Sequence, residues 1–144
     1  MRVASLLLTS LLLAAAPRAA EVTPLKVLLV SGGCCHDYTK QKDVLAQGLE
    51  ARARVKVDVI EQGGRTTNTK IDLYKNPDWA KGYDVILHDE CFADVKELDW
   101  IGTILKPHKE GTPAVNLHCA MHCYRSGTDD WFSFVGLQLS LIHI

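Results

Sequence analysis

The chain has no surplus of positive charge. Sixteen Lys and Arg stand against 17 Asp and Glu, a formal net charge of −1, and no basic patch stands out. That argues against nucleic acid as the main partner. It also has little that could cross a membrane. The apolar run Val3–Ala16 is too short for an ordinary span, so no stable span is expected. Internal repeats, low-complexity tracts and a linker are absent, and 144 residues suffice for one domain with one core. Nor is the cysteine count even. With five, at least one thiol stays unpaired or bonds elsewhere, and the spacing is not that of a small disulfide scaffold. Cys34 and Cys35 are neighbours, between which a disulfide is strained.

The two ends read as additions to the fold. Met1-Arg2 followed by Val3–Ala16 reads as a secretory signal over residues 1–20, which implies export to the periplasm or the exterior, or an N-terminal anchor if uncleaved. Its removal takes two arginines and no acids, so the charge moves from −1 to −3. Leu139-Ser140-Leu141-Ile142-His143-Ile144 reads as a non-native tail, leaving residues 21–138 as the domain. The sequence fixes no oligomeric state.

Between these ends the pattern alternates. Leu25–Val30 is an apolar strand closed by Ser31-Gly32-Gly33, and Val44, Leu45 and Leu49 mark a helix from about Lys40 to Ala53. Val55–Ile60 reads as a second strand, Gln62–Lys70 as a loop, and Asn76-Pro77-Asp78 as a turn or helix start. Tyr83–Leu87 reads as a third strand, Asp94–Lys106 as a second helix, and Ala114–Leu117 as a fourth strand running into a further helix. Apolar strands between helices imply an α/β fold with a parallel sheet covered on both faces. Leu25–Val30 and Ala114–Leu117 are expected among its most buried segments.

Parallel strands place their carboxyl ends on one edge, where ligands bind in open α/β sheets. Three polar clusters fall there. They are Gly33-Cys34-Cys35-His36-Asp37, His88-Asp89-Glu90-Cys91, and His118-Cys119 with His122 and Cys123 close behind. Soft ligands and nucleophiles this dense at one sheet edge point to a site.

These clusters also carry a resemblance. Val30-Ser31-Gly32-Gly33 with His36-Asp37, Tyr83-Asp84-Val85-Ile86 before His88–Cys91, and Leu117-His118 resemble the ThuA-like (trehalose utilisation) family, within the class I glutamine amidotransferase-like superfamily. Asn76-Pro77-Asp78-Trp79-Ala80 and His122-Cys123-Tyr124-Arg125 resemble exported bacterial members. The resemblance covers about Leu25 to Gln138. It implies a flavodoxin-like three-layer sandwich, C-terminally truncated here, and a role in the metabolism of trehalose-type or keto-disaccharide sugars. It implies a small-molecule carbohydrate as partner, and a hydrolase or isomerase if the protein is an enzyme. A divalent metal such as zinc, held by strand-end histidines, is the implied cofactor, with His36 and His118 as its ligands here. Members typically lack the superfamily's Cys-His-Glu triad.

Each candidate has a structural alternative. His118 is a metal ligand or acid–base group, or else a turn histidine bonded to backbone. Cys119 lies close to the superfamily's nucleophile elbow, where a helix N-terminus favours thiolate and His122 is within reach as base; alternatively it is a small buried thiol. His122 and Cys123 can extend a metal site, but Cys123 fits core packing better. Glu90 is a candidate general base, or a loop carboxylate. Gly33 permits close approach of a ligand and His36 contacts it, while Asp37 fits as a helix N-cap. The leading expectation is that His36, Glu90 and His118 share one cleft. The rivals are a non-catalytic sugar-binding module and a cysteine hydrolase using Cys119.

Overall fold

The central strand, β1 (Leu25–Gly33), runs past its apolar stretch because Ser31-Gly32-Gly33 stay in the sheet. The computed structural model describes residues 22–136, so the expected signal segment 1–20 and the tail 139–144 lie outside the described residues. β1 pairs in parallel on one side with β2 (Val55–Glu61) and on the other with β3 (Val85–Cys91). β4 (Ala114–Asn116) pairs in parallel with β3, giving the order β2-β1-β3-β4. This is the strand order of a flavodoxin-like sheet, as the sequence reading expects.

α1 (Tyr38–Glu50) covers one face. Its Leu45, Ala46 and Leu49 pack on Val27, Leu29, Val57 and Leu87. Asp37 is its N-cap, with Oδ1 accepting from the Lys40 amide at 3.3 Å. α2 (Leu98–Lys109) covers the other face, where Ile101, Ile104 and Leu105 join Leu28, Val30 and Ile86. Trp131 of the short helix α3 (Asp130–Val135) is fully buried against the same cluster. The period-two alternation of β1 therefore feeds both cores, odd residues to α1 and even residues to α2.

Two expectations fail. β3 was expected to end at Leu87 but continues to Cys91, so His88-Asp89-Glu90 lie inside the strand rather than beyond it. The reason is in β1: its extension through Gly33 supplies ladder partners from Val30↔His88 to Gly33↔Cys91. The other error concerns β4. It is at the sheet edge among the described residues, three residues long, and Val115 is 45% exposed, so Ala114–Leu117 is not among the most buried segments. Leu25 is likewise half exposed, and burial of β1 begins at Val27.

Candidate functional site: a thiol and imidazole cluster at the switch point

Strand order reverses between β1 and β3, and ligands in such sheets bind in the crevice outside the carboxyl ends at that point. Cys34, Cys35 and His36 leave β1 there, and Cys91 is the last residue of β3. The segment after β4 arrives from the side. It forms a 3-10 helix, His118–His122, where a longer helix was expected. Three residues per turn set Cys119 and His122 above one another, so those two face inward together. The i, i+4 pair His118 and His122 is thereby split. His118 is exposed at the rim, whereas His122 is only 4% exposed. Trp131 fixes this turn by donating its Nε1–H to the Ala120 carbonyl at 2.8 Å.

His36 and His118 do meet, with ring centroids 4.9 Å apart. Cys119 Sγ joins them, 3.1 Å from His36 Nε2 and 3.3 Å from His118 Nδ1. Deeper in, Cys91 lies with Cys119 and His122, their ligand atoms all within 4.8 Å of one another. Cys34 Sγ is 3.6 Å from Cys91 Sγ, and Cys34, Cys35 and Cys91 form a third such group. The cysteines of the sequence thus gather in one place: four of the five thiols belong to these groups, and the described structure holds all five as free cysteines.

Backbone strain gathers here too. Cys35 (φ 84°) and His118 (φ 38°) are non-glycine residues in the left-handed region, a conformation that costs on the order of 1–3 kcal/mol and clusters at functional sites. The sharp turn at the end of β4 is therefore occupied by His118. Cys119, expected close to an elbow, is buried behind it at 5% exposure.

Burial pushes the thiols of Cys119 and Cys34 up to about 12. Cys91 moves the opposite way, down to about 5, chiefly through its contact with the Cys123 thiol and further through Cys34 and Cys119, against the effect of burial. Negative charge in the cluster is thus concentrated on Cys91. Burial, more than any neighbouring charge, lowers His122 from the usual imidazole range.

Glu90 does not join this cleft, and its expected place beside His36 and His118 is corrected by the pleat of β3. Residues 88 and 90 face α2 while 89 and 91 face the α1 side. Glu90 is fully buried, its Oε1 accepting from Tyr74 Oη at 2.9 Å and Tyr124 Oη at 3.2 Å. The same oxygen is 2.9 Å from His88 Nδ1, and His88 Nε2 is 3.0 Å from His108 Nε2. His108 Nδ1 lies 2.9 Å from the Thr112 carbonyl, which can only accept, so His108 carries its proton on Nδ1. Its Nε2 then accepts from His88 Nε2–H, and a single proton is left for the His88–Glu90 contact. Glu90 is the end of a buried proton-sharing chain, not a base facing substrate. Asp89, on the opposite face, accepts from Ser31 Oγ at 3.1 Å and from Gln41 Nε2 at 2.8 Å.

Gly33 also has a structural task. A Cβ there would lie 2.4 Å from the Cys91 carbonyl oxygen, at φ +104°. The close approach it permits is between β1 and β3, and it sets Cys34 beside Cys91. Cys123 packs in the core as expected, donating to the Glu90 carbonyl at 2.8 Å. Next to His36 a cavity of about 200 Å³ is lined by Asp37, Thr39, Glu61 and Arg65. The residue that sequence reasoning missed is Cys91. Its signal was present, a third cysteine at a strand end facing the Cys34-Cys35 pair.

No helix among the described residues is long and apolar enough to cross a membrane. No protein-family model, no curated protein and no solved structure matches the chain.

Proposed function

We propose that this is an exported ThuA-like domain that acts on a carbohydrate with the help of a divalent metal held at the rim by His36, His118 and Cys119. One observation carries the reading: two imidazoles and a thiol meet at 3.1 and 3.3 Å outside the carboxyl edge of a parallel sheet. Two nitrogens and one sulfur are a donor set suited to zinc, with a position left open for substrate. When bound, such an ion polarises a sugar carbonyl or hydroxyl. His118, exposed at the turn, holds and orients that position. Asp37, Thr39, Glu61 and Arg65 line the adjoining cavity with donors and acceptors for sugar hydroxyls. Export is supported by the Met1-Arg2 and Val3–Ala16 pattern.

The test is metal content and turnover of keto-disaccharides together. His36→Ala and His118→Ala should each lose bound zinc and activity while the fold persists, because neither side chain carries core packing. Retention of both zinc and turnover would sink the reading. Sugar binding without turnover in the zinc-loaded protein would instead favour a binding module. The 3.1 Å contact between His36 Nε2 and Cys119 Sγ favours one further reading, a cysteine hydrolase with His36 as base. The thiol's burial and its rise to about 12 count against it. A chelator separates the two, since it stops metal-assisted turnover and spares a thiol nucleophile.

A further inference from the structure

Behind the rim lies a second set of donors. Cys91, Cys119 and His122 are all buried, and their ligand atoms lie within 4.8 Å of one another. We infer that these three side chains form an inner site for a thiophilic d10 ion, Cu(I) or Zn(II), distinct from the rim site and joined to it through Cys119.

Three observations carry this. First, His122 Nδ1 is buried without a hydrogen-bond partner, in a residue only 4% exposed. A buried ring nitrogen left unbonded calls for an explanation, and a bound ion supplies one. The Tyr38 hydroxyl, beside the same thiols, is a second buried atom without a partner. Second, the spacing fits. An ion with ligands at about 2.0–2.3 Å holds its donors roughly 3.5–4 Å apart, so atoms already within 4.8 Å need only a small contraction. Third, the donors are pre-positioned. Cys119 and His122 are eclipsed on the 3-10 turn, Trp131 pins that turn, and Cys91 is fixed by the β1–β3 ladder.

Selectivity follows from the donor types. Two thiolates and an imidazole are soft donors, which favour Cu(I) and Zn(II) over calcium or magnesium. Low solvent access suits an ion content with few ligands. Cys123 is excluded although buried, because its sulfur already donates to the Glu90 carbonyl and accepts from the Phe92 amide at 3.2 Å. Both sulfurs would bind as thiolates, any thiol proton going to solvent, and no electron transfer is involved. Cys119, shared by the two groups of donors, would serve both ions.

The inference does not rest on the sugar reading, and the experiment keeps them apart. The purified full chain, kept reduced, is titrated with Zn(II) and separately with Cu(I) against a competing chelator, and bound ions are counted. The wild type should bind two equivalents. His36→Ala/His118→Ala, altered only at the rim, should keep one. Cys91→Ser and His122→Ala should each lose one and keep the rim ion. X-ray absorption on the rim double variant loaded with one equivalent should show two sulfurs and one nitrogen around the ion, which decides the matter even if the buried variants fail to fold. Loss of all binding in the rim double variant would overturn the inner site. So would a sulfur-free shell.

Discussion

Asp89 offers a test in which the structure sets both sign and size. It is 2% exposed, and burial raises its carboxyl from an ordinary 3.8 to about 6, offset in part by the Ser31 bond and reinforced by Glu90. At about 1.4 kcal/mol per pKa unit, ionising it costs the fold on the order of 2–3 kcal/mol. The sign runs as the linkage requires. The folded pKa lies above the unfolded one, so the folded state binds the proton more tightly. Stability from this group is present below 3.8 and is lost as pH rises through about 6. Asp89→Asn removes the titration and keeps the shape. Its amide oxygen can accept from Gln41 Nε2 and its NH₂ can donate to Ser31 Oγ, the two partners of the native side chain.

Urea unfolding of both proteins at steps between pH 4 and pH 8 gives the difference in stability. Other titrating groups cancel in that difference. The variant should gain on the wild type as pH rises, by on the order of 2–3 kcal/mol in total, and the gain should level off above about pH 7. Any fixed offset from the altered hydrogen bonds does not matter, because the slope carries the test. A difference that stays flat across this range would refute the claim that Asp89 is ionised at a cost inside the sheet.

Gly33→Ala forces a Cβ to 2.4 Å from the Cys91 carbonyl at φ +104°, and should destabilise by about 3 kcal/mol or more in urea unfolding; a loss under about 1 kcal/mol would mean the β1–β3 approach is looser than described. Trp131→Ala removes a fully buried indole and its bond to the Ala120 carbonyl, and should cost about 3–5 kcal/mol by the same assay. His108 is lowered to about 4, chiefly by burial, so it should stay neutral with its proton on Nδ1 in nitrogen NMR at pH 6. The stability it lends is present above pH 6.5 and is lost as pH falls through about 4; an imidazolium at pH 6 would contradict the proton chain to Glu90.

The parallel sheet was legible because each apolar run is short, β-branched and set between helical stretches, and that pattern has few solutions. The length of β3 was not. His88-Asp89-Glu90 look like a loop by composition, and nothing local shows that Ser31-Gly32-Gly33 of a distant strand will pair with them. The exposure of Val115 was hidden for a similar reason, since an apolar tripeptide does not declare whether one neighbour or two will flank it. The meeting of His36 and His118 followed from topology alone, because it needs only that both leave strands at the same edge. The inner group needed more. Cys119 and His122 share a face on a 3-10 turn, and α-helical spacing pairs His118 with His122 instead.

What topology could not decide was the phase of the pleat, and the phase separates two chemistries at the end of β3. Even residues send a carboxylate into a web of tyrosine hydroxyls and imidazoles. Odd residues send a thiol into a cluster of thiols and imidazoles. The side-chain period is two, so a slip of one residue in the β1–β3 register would exchange Glu90 and Cys91. It would set a carboxylate among the cysteines and strand a thiol between Tyr74 and Tyr124. The register is held by the β1–β3 ladder and the backbone contact at Gly33, while Cys123 ties the end of β3 to the segment after β4, its sulfur bonding the Glu90 carbonyl and the Phe92 amide on either side of Cys91. Gly33 and Cys123 therefore act on the site without belonging to it. The register at Gly33 fixes which face Cys91 takes, and that choice puts a second thiol within reach of Cys119 and His122.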